Sequence, residues 1–209
     1  MLYTLLKDDR IVTGPRDWNP KYFEYFLSQE CDVETSLSEY PIVESLAFND
    51  SVKLVPTHQL ELPTIDLLYE TIAGPNFKYD EEGRFISYYV AQEYSIDIVK
   101  KNLLQAISDV RWKKETSPIT REIGGSLLTI YTDRESRNSY TQALLSATDE
   151  YSATWKFPQG FVTLNKSDLQ NILNNVTTYV QECFDWEATK ANEINSKNDV
   201  EELKQIILE

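Results

Sequence analysis

The sequence predicts an α+β protein in two parts: a small, acidic, β-rich module over residues 1–94, and over residues 95–209 a module of β-hairpins packed on long helices. Three observations carry this. Tight-turn signals at Asp8-Asp9, Gly124-Gly125 and Pro158-Gln159-Gly160 each separate two short β-prone runs. Two long stretches, beginning near Ile96 and Leu169, repeat apolar residues at three- and four-residue intervals, the spacing of a helix face. The proline and glycine punctuation that fills the first 94 residues thins out after Tyr94.

Composition narrows the class. With 41% hydrophobic and 12% aromatic residues in a chain of 209, there is ample material for a packed core. No run approaches the roughly 20 apolar residues of a membrane helix. The opening Met1–Leu6 meets Lys7-Asp8-Asp9 before a signal-type apolar region can form, which predicts a chain made in a cytoplasm with no membrane partner. Cys31 and Cys183, far apart and in unlike contexts, are expected to be reduced structural thiols. The formal net charge is −14, from 34 acidic against 20 basic side chains, and −10 of it falls before Ser95, where seven basic residues face seventeen acidic ones. Nucleic-acid affinity rests on clustered Lys and Arg, so nucleic acid is excluded as a partner. Only Arg111–Lys114 is locally basic.

In the first module, Leu2–Lys7 and Arg10–Thr13 form an expected hairpin about Asp8-Asp9. Gly14-Pro15 and the following Arg16-Asp17-Trp18-Asn19-Pro20 should end it, because glycine and proline interrupt ladders. Asn19 then caps a short helix with Pro20 in its first turn, and Tyr22, Phe23, Tyr25, Phe26 and Leu27 supply its buried side. Ser51–Val55 and Gln59–Leu62 are expected as two strands about Pro56-Thr57-His58, and Arg84–Val90 as a strand after the Asp80–Gly83 turn. Ile11–Pro15 followed by Trp18 is echoed by Thr71–Pro75 followed by Phe77; turn chemistry at Gly-Pro, ending a strand in both places, accounts for the echo without a repeat.

The second module opens with Ser95 as N-cap of a helix over about 96–115, its apolar face built on Ile96, Val99, Leu103, Ala106, Ile107 and Val110. Thr116-Ser117-Pro118 stops it. Ile119–Ile123 and Ser126–Tyr131 pair about Gly124-Gly125, since both central residues of a type I′ turn need positive φ. Thr132 and Glu135 have capping-box spacing and start a helix over about 133–147 that turns Tyr140, Ala143 and Leu144 to the core. Ser152–Phe157 and Phe161–Leu164 form the next hairpin, whose Trp155, Phe157, Phe161 and Leu164 need cover. Ser167 with Gln170 then opens a helix of about 28 residues, roughly 40 Å long, more than a small domain buries. A terminal helix carries Val200, Leu203, Ile206 and Ile207.

Several separated motifs recur here in order: Arg111-Trp112; Gly124-Gly125 followed by Thr132-Asp133-Arg134-Glu135-Ser136; Trp155-Lys156-Phe157 with Gly160–Leu164; and Val180-Gln181-Glu182-Cys183-Phe184 with Glu187 and Ile194. Together they resemble a bacteriophage domain family of unknown function found at the end of tail-fibre and tail-fibre-assembly proteins. The resemblance spans residues 95–209 and none of the first module. It implies a phage tail context and transfers no enzymatic activity.

No catalytic, cofactor or metal site emerges from the residues. His58 is the single histidine, in an expected Pro-flanked loop with no ligand-spaced neighbours. Cys183 lies on the apolar stripe of the long helix, which predicts packing over nucleophilicity. Asp133-Arg134-Glu135 at a strand-to-helix junction is explained by capping and the helix dipole. Dinucleotide, P-loop and nucleophile-elbow motifs do not occur. Trp112, Trp155 and Trp186 fall on faces expected to be packed. Trp18, in a surface turn, is the candidate for an exposed anchor, against the plainer expectation that it staples the first helix to the opening hairpin. The candidate protein-contact residues are therefore Arg16, Trp18, Leu203, Ile206 and Ile207. The expected function is that of a non-enzymatic virion tail protein, a fibre attachment, adaptor or baseplate component, located in the virion tail after assembly in the host cytoplasm. Its expected partners are tail or tail-fibre proteins and further copies of itself. The alternatives are a tail-fibre assembly chaperone not retained in the virion, and an acidic inhibitor of a DNA-binding host protein.

Overall fold

A computed structural model of the chain describes residues 1–208, which form five helices and ten strands, a mixed α+β fold. The chain divides into two compact units, Met1–Glu93 and Tyr94–Glu209.

The first unit is built on one sheet. β1 (Leu2–Lys7) and β2 (Arg10–Asp17) are joined by Asp8 and Asp9 at φ 49° and 59°, the left-handed pair that a two-residue hairpin turn requires. α1 (Pro20–Gln29) follows, its first turn capped by the Asn19 side chain, which accepts from the Tyr22 N–H at 3.1 Å. Next come β3 (Leu46–Ala47), β4 (Val52–Gln59), β5 (Glu70–Tyr79) and β6 (Phe85–Glu93). The order across the sheet is β2-β1-β4-β6-β5, with β3 also pairing β4; β4 and β6 run parallel and the other pairs antiparallel. Alternation along the strands places Tyr3, Leu5, Val52 and Leu54 on one face, where Phe23 and Leu27 of α1 cover them. Leu6, Val55 and Phe85 gather on the other face, together with the buried hydroxyls of Thr4, Thr57 and Ser87.

Three expectations for this unit are corrected. Gly14-Pro15 does not end β2, and Gly74-Pro75 does not end β5: each lies within its strand, at a register shift in the pairing, and both strands are sheet edges, where a residue without an N–H is tolerated. Pro56 does not divide two strands. β4 runs through it opposite Tyr3, in the interval where β3 has ended on β4's other side and β6 has not begun, and this also puts His58 in a strand, not a loop. Tyr25 is exposed on α1, about half a turn from the buried line of Phe23 and Leu27.

In the second unit, α2 (Ile96–Glu115) buries Val99, Leu103 and Ile107 and stops at Thr116. β7 (Ile119–Ile123) and β8 (Ser126–Ile130) turn at Gly124 and Gly125, φ 56° and 79°. α3 (Arg134–Ser146) then leads to β9 (Ser152–Phe157) and β10 (Gly160–Asn165), a second separate hairpin, and to α4 (Lys166–Ser196) and α5 (Val200–Lys204). The core forms where both hairpins and Tyr140 of α3 meet α4 at Leu169, Ile172, Val176 and Val180. α2 packs along α4, and the short α5 packs on α2.

The caps differ from expectation by one or two residues. The N-cap of α3 is Asp133, which accepts from the Ser136 N–H at 3.0 Å and its hydroxyl at 2.7 Å. Thr132 is fully buried instead, its hydroxyl 2.7 Å from the Glu115 carbonyl and 2.8 Å from that of Ser117, where it secures the end of α2. The capping box of α4 is Asn165 with Asp168, not Ser167 with Gln170. Phe161 is exposed, because alternation on β10 sends Val162 and Leu164 inward and Phe161 outward.

Candidate protein-contact face

The five residues proposed from sequence as contacts are not brought together. Trp18 is half-buried against the α1 side of the first sheet, edge-on to Tyr3 at 4.9 Å between centroids, and its Nε1 donates to the Glu39 carbonyl at 3.2 Å. It is the staple of the opening hairpin and no exposed anchor. Arg16 is exposed, its guanidinium 4.2 Å over the Tyr22 ring. Leu203 and Ile206 are buried, which removes them as contacts; of the three terminal candidates Ile207 alone is open. The terminal helix is only five residues long, and its Leu203, with Ile206 just beyond its end, is spent inside the unit.

What the second unit does assemble is a polar and aromatic cluster across α2, α3 and α4. At its centre is Glu115, a carboxylate with 2% of its side chain exposed. Arg111, one helical turn earlier, donates from Nη1 to Glu115 at 2.8 Å and from Nε to Glu187 of α4 at 2.9 Å. Arg137 of α3 brings its Nη2 to 3.6 Å from the other Glu115 oxygen. Burial works against the Arg111 charge, but its bonds to Glu115 and Glu187 outweigh that and hold the guanidinium more firmly protonated than usual. A buried carboxylate with two guanidinium partners is locked as an ion-pair tie between three helices. Beside it, Tyr179 donates to the Lys114 carbonyl at 2.8 Å, and burial pushes the Cys183 thiol up, a direction that makes it a poor nucleophile. Burial raises the Cys31 thiol in the same way.

Outward from this tie the side chains change character. Trp112, expected to be packed, is 45% exposed, and Phe184 is 44% exposed. The Arg111 guanidinium lies 4.7 Å from the Phe184 ring centroid and 6.0 Å from that of Trp112, and Arg134 reaches Trp112 from the other direction at 5.3 Å. Trp186 is half-buried under Lys114, whose Nζ stands 4.3 Å from its ring. Phe184 and Glu187 also border an open groove of about 940 Å3 between α2 and α4, lined as well by Leu104, Ala188 and Ala191. Among the described residues no three His, Cys, Asp or Glu side chains are placed to hold a metal ion, and no helix is long and apolar enough to cross a membrane.

This cluster was only partly visible in the sequence. Arg111 and Glu115 stand four apart on one helix; Glu187, 76 positions after Arg111, carries no local signal of the pairing. The quoted motifs nevertheless converge on it: Arg111-Trp112, Asp133-Arg134 and Phe184 with Glu187 meet within a few ångströms.

No curated protein and no solved structure matches the chain. Residues 98–207, more than half its length and the stretch in which all of those residues lie, match a family model, and the chain belongs to the family described as a domain of unknown function (DUF4376).

Proposed function

We propose that this chain is a non-enzymatic bacteriophage tail protein that joins tail components through protein–protein contact, attaching a fibre or decorating the baseplate. The observation that carries the proposal is the ordered set of motifs in the second unit, which resembles the domain at the end of tail-fibre and tail-fibre-assembly proteins. The geometry supports a contact role. The charged residues that could have done chemistry are spent on structure: Asp133 caps α3, and Glu115 and Glu187 are tied to Arg111. Large side chains are left facing outward instead, Trp112 and Phe184 foremost. The location is the virion tail, reached from the host cytoplasm, and the partners are tail or tail-fibre proteins together with further copies of the chain.

Quantitative mass spectrometry of purified particles, scaled to a tail protein of known copy number, tests this. A fixed integer count per particle is the expected result, as closed symmetry demands. Abundance in the infected-cell lysate with absence from particles would overturn it. A fibre-assembly chaperone would then show itself by raising the soluble yield of a co-expressed fibre, and a host-directed acidic inhibitor by salt-sensitive capture of a basic host protein.

A further inference from the structure

We propose that the outer face around Trp112, formed by the end of α2, the first turn of α3 and the middle of α4, docks an acidic segment of a partner protein carrying an apolar anchor residue. The inference deepens the contact role proposed above and names the chemistry of the partner.

The face differs from the rest of the molecule in charge. In a chain of net charge −14, Arg111-Trp112-Lys113-Lys114 is the locally basic stretch, and α3 brings Arg134 up beside it. The nearby carboxylates are largely occupied. Glu115 and Glu187 are bound by Arg111, while Asp133 accepts from Ser136, Asp109 from the Gln105 amide and Asp185 from the Gln181 amide, and Glu135 adjoins Arg134 in sequence. Lys113 and Arg134, both exposed, have no carboxylate partner among the described residues. Arg134 thus stands at an exposed indole, Lys113 follows that indole in the chain, and Arg111 links it to a second open ring, Phe184.

That arrangement fits one kind of occupant. An apolar side chain can cover the open surface of Trp112 and Phe184 while flanking carboxylates reach Lys113 and Arg134. Trp and Arg are the residue types that dominate binding energy at protein interfaces, and the charges at the margin set the rate and selectivity of encounter. With a net charge of −14 the chain as a whole disfavours such a segment, so a patch of free cations supplies orientation as well as affinity. Nucleic acid is the poorer fit: its affinity grows with the number of phosphates neutralised, and here few cations stand free in a strongly acidic protein.

The test uses the full chain and three fluorescein-labelled probes: a ten-residue peptide of alternating Glu and Leu, its counterpart with Lys for Glu, and an oligothymidylate of equal length. Fluorescence anisotropy should show the Glu-Leu peptide binding with Kd below about 1 mM and weakening steeply with salt. Trp112→Ala should weaken it about tenfold, and Arg134→Glu should weaken it while flattening the salt dependence. Lys156→Glu, on β9, should change nothing. Urea midpoints of the variants, read in parallel, separate lost binding from lost folding. The proposal is overturned by no binding up to about 1 mM, by equal binding of the Lys-Leu peptide, by tighter binding of the oligothymidylate, or by indifference to both Trp112→Ala and Arg134→Glu in folded protein. Particle composition is measured independently, so failure of this face and failure of the tail assignment are read in different experiments.

Discussion

Replacing Arg111 with Met should bring the second unit close to unfolding. The mutation removes the nearer of the two guanidinium groups that hold Glu115, at 2.8 Å, and leaves Arg137 at 3.6 Å. Only 2% of the Glu115 side chain reaches solvent, so little of its charge can be recovered by water. Breaking a buried pair from one side costs about 3–5 kcal/mol. The bond to Glu187, 22% exposed, adds at most about 1 kcal/mol. Against a total stability of about 5–15 kcal/mol, that is a large share. At about 4 °C per kcal/mol for a unit of this size, the expected fall in Tm is about 12–24 °C. Urea and thermal unfolding followed by tryptophan fluorescence measure it, since Trp112, Trp155 and Trp186 all report on the second unit. A second variant separates lost charge from lost packing. In Arg111→Met with Glu115→Met no carboxylate remains buried at that place, and most of the loss should be recovered. Arg111→Lys should fall between, because an ammonium cannot serve both carboxylates with the same planar fork. A loss below about 1 kcal/mol for Arg111→Met, or a double variant as unstable as the two single losses added, would mean that Glu115 is not held as a buried charge by Arg111.

Asp133→Ala should cost about 1 kcal/mol through the lost cap of α3. The backbone N–H of Ser136, and then its hydroxyl, hold the Asp133 carboxyl below the usual carboxylate range, so its contribution is complete above about pH 4 and lost as pH falls through the lowered folded value; a wild-type advantage in urea midpoint that persists undiminished at pH 2 would contradict this. Gly14→Ala should destabilise the first unit by more than about 2 kcal/mol, since φ is +108° and a Cβ would stand 2.5 Å from the Tyr3 carbonyl oxygen, a backbone atom that cannot swing aside. Ser87→Ala should be neutral within about 0.5 kcal/mol, because that buried hydroxyl has no hydrogen-bond partner, whereas Thr57→Val strands the Thr4 hydroxyl 2.7 Å away and should cost about 1 kcal/mol or more; calorimetry distinguishes the two. Leu203→Ala should cost about 2–5 kcal/mol without altering oligomeric state, and Ile207→Ser should leave stability within about 0.5 kcal/mol; sedimentation and unfolding together check the pair.

Much of the fold was legible because its turns are written in residue types with one physical use. Asp8-Asp9 and Gly124-Gly125 adopt the positive φ angles that make hairpins of their flanks, and Asn19-Pro20 starts α1. The misreadings share a cause. Gly-Pro and Pro56 look like strand breaks in isolation, yet a proline is harmless wherever the neighbouring ladder has an opening, and only the assembled sheet shows that β2 and β5 are its edges or that β3 ends before β6 begins. Pairing β4 in parallel with β6 is likewise a non-local choice, with no turn to announce it. Caps were displaced by a residue or two because polar residues come in runs at these junctions. Thr132 is diverted to the end of α2, and Asp133 inherits the cap.

The contact face was legible in part, and the part missed could have been read. Val99, Leu103 and Ile107 define the buried line of α2. At about 100° per residue, Trp112, nine positions after Leu103, lies half a turn from it and must face outward, whatever the usual preference of tryptophan. The same periodicity carries Arg111 and Glu115 toward the helix partners of α2, which is where the guanidinium meets Glu187. Neighbouring residues 111 and 112 therefore divide the work: one closes the helices by charge, and the other stands outside with its ring between Arg111 and Arg134. A large aromatic residue held outside the core exposes apolar area that folding alone would have hidden, at about 25 cal/mol per Å2. The two guanidinium groups at the ring offset part of that cost, each worth about 0.5–1 kcal/mol at an exposed ring. Occupation by a partner would offset it in full. That is the physical reason to test the proposed contact role first at Trp112.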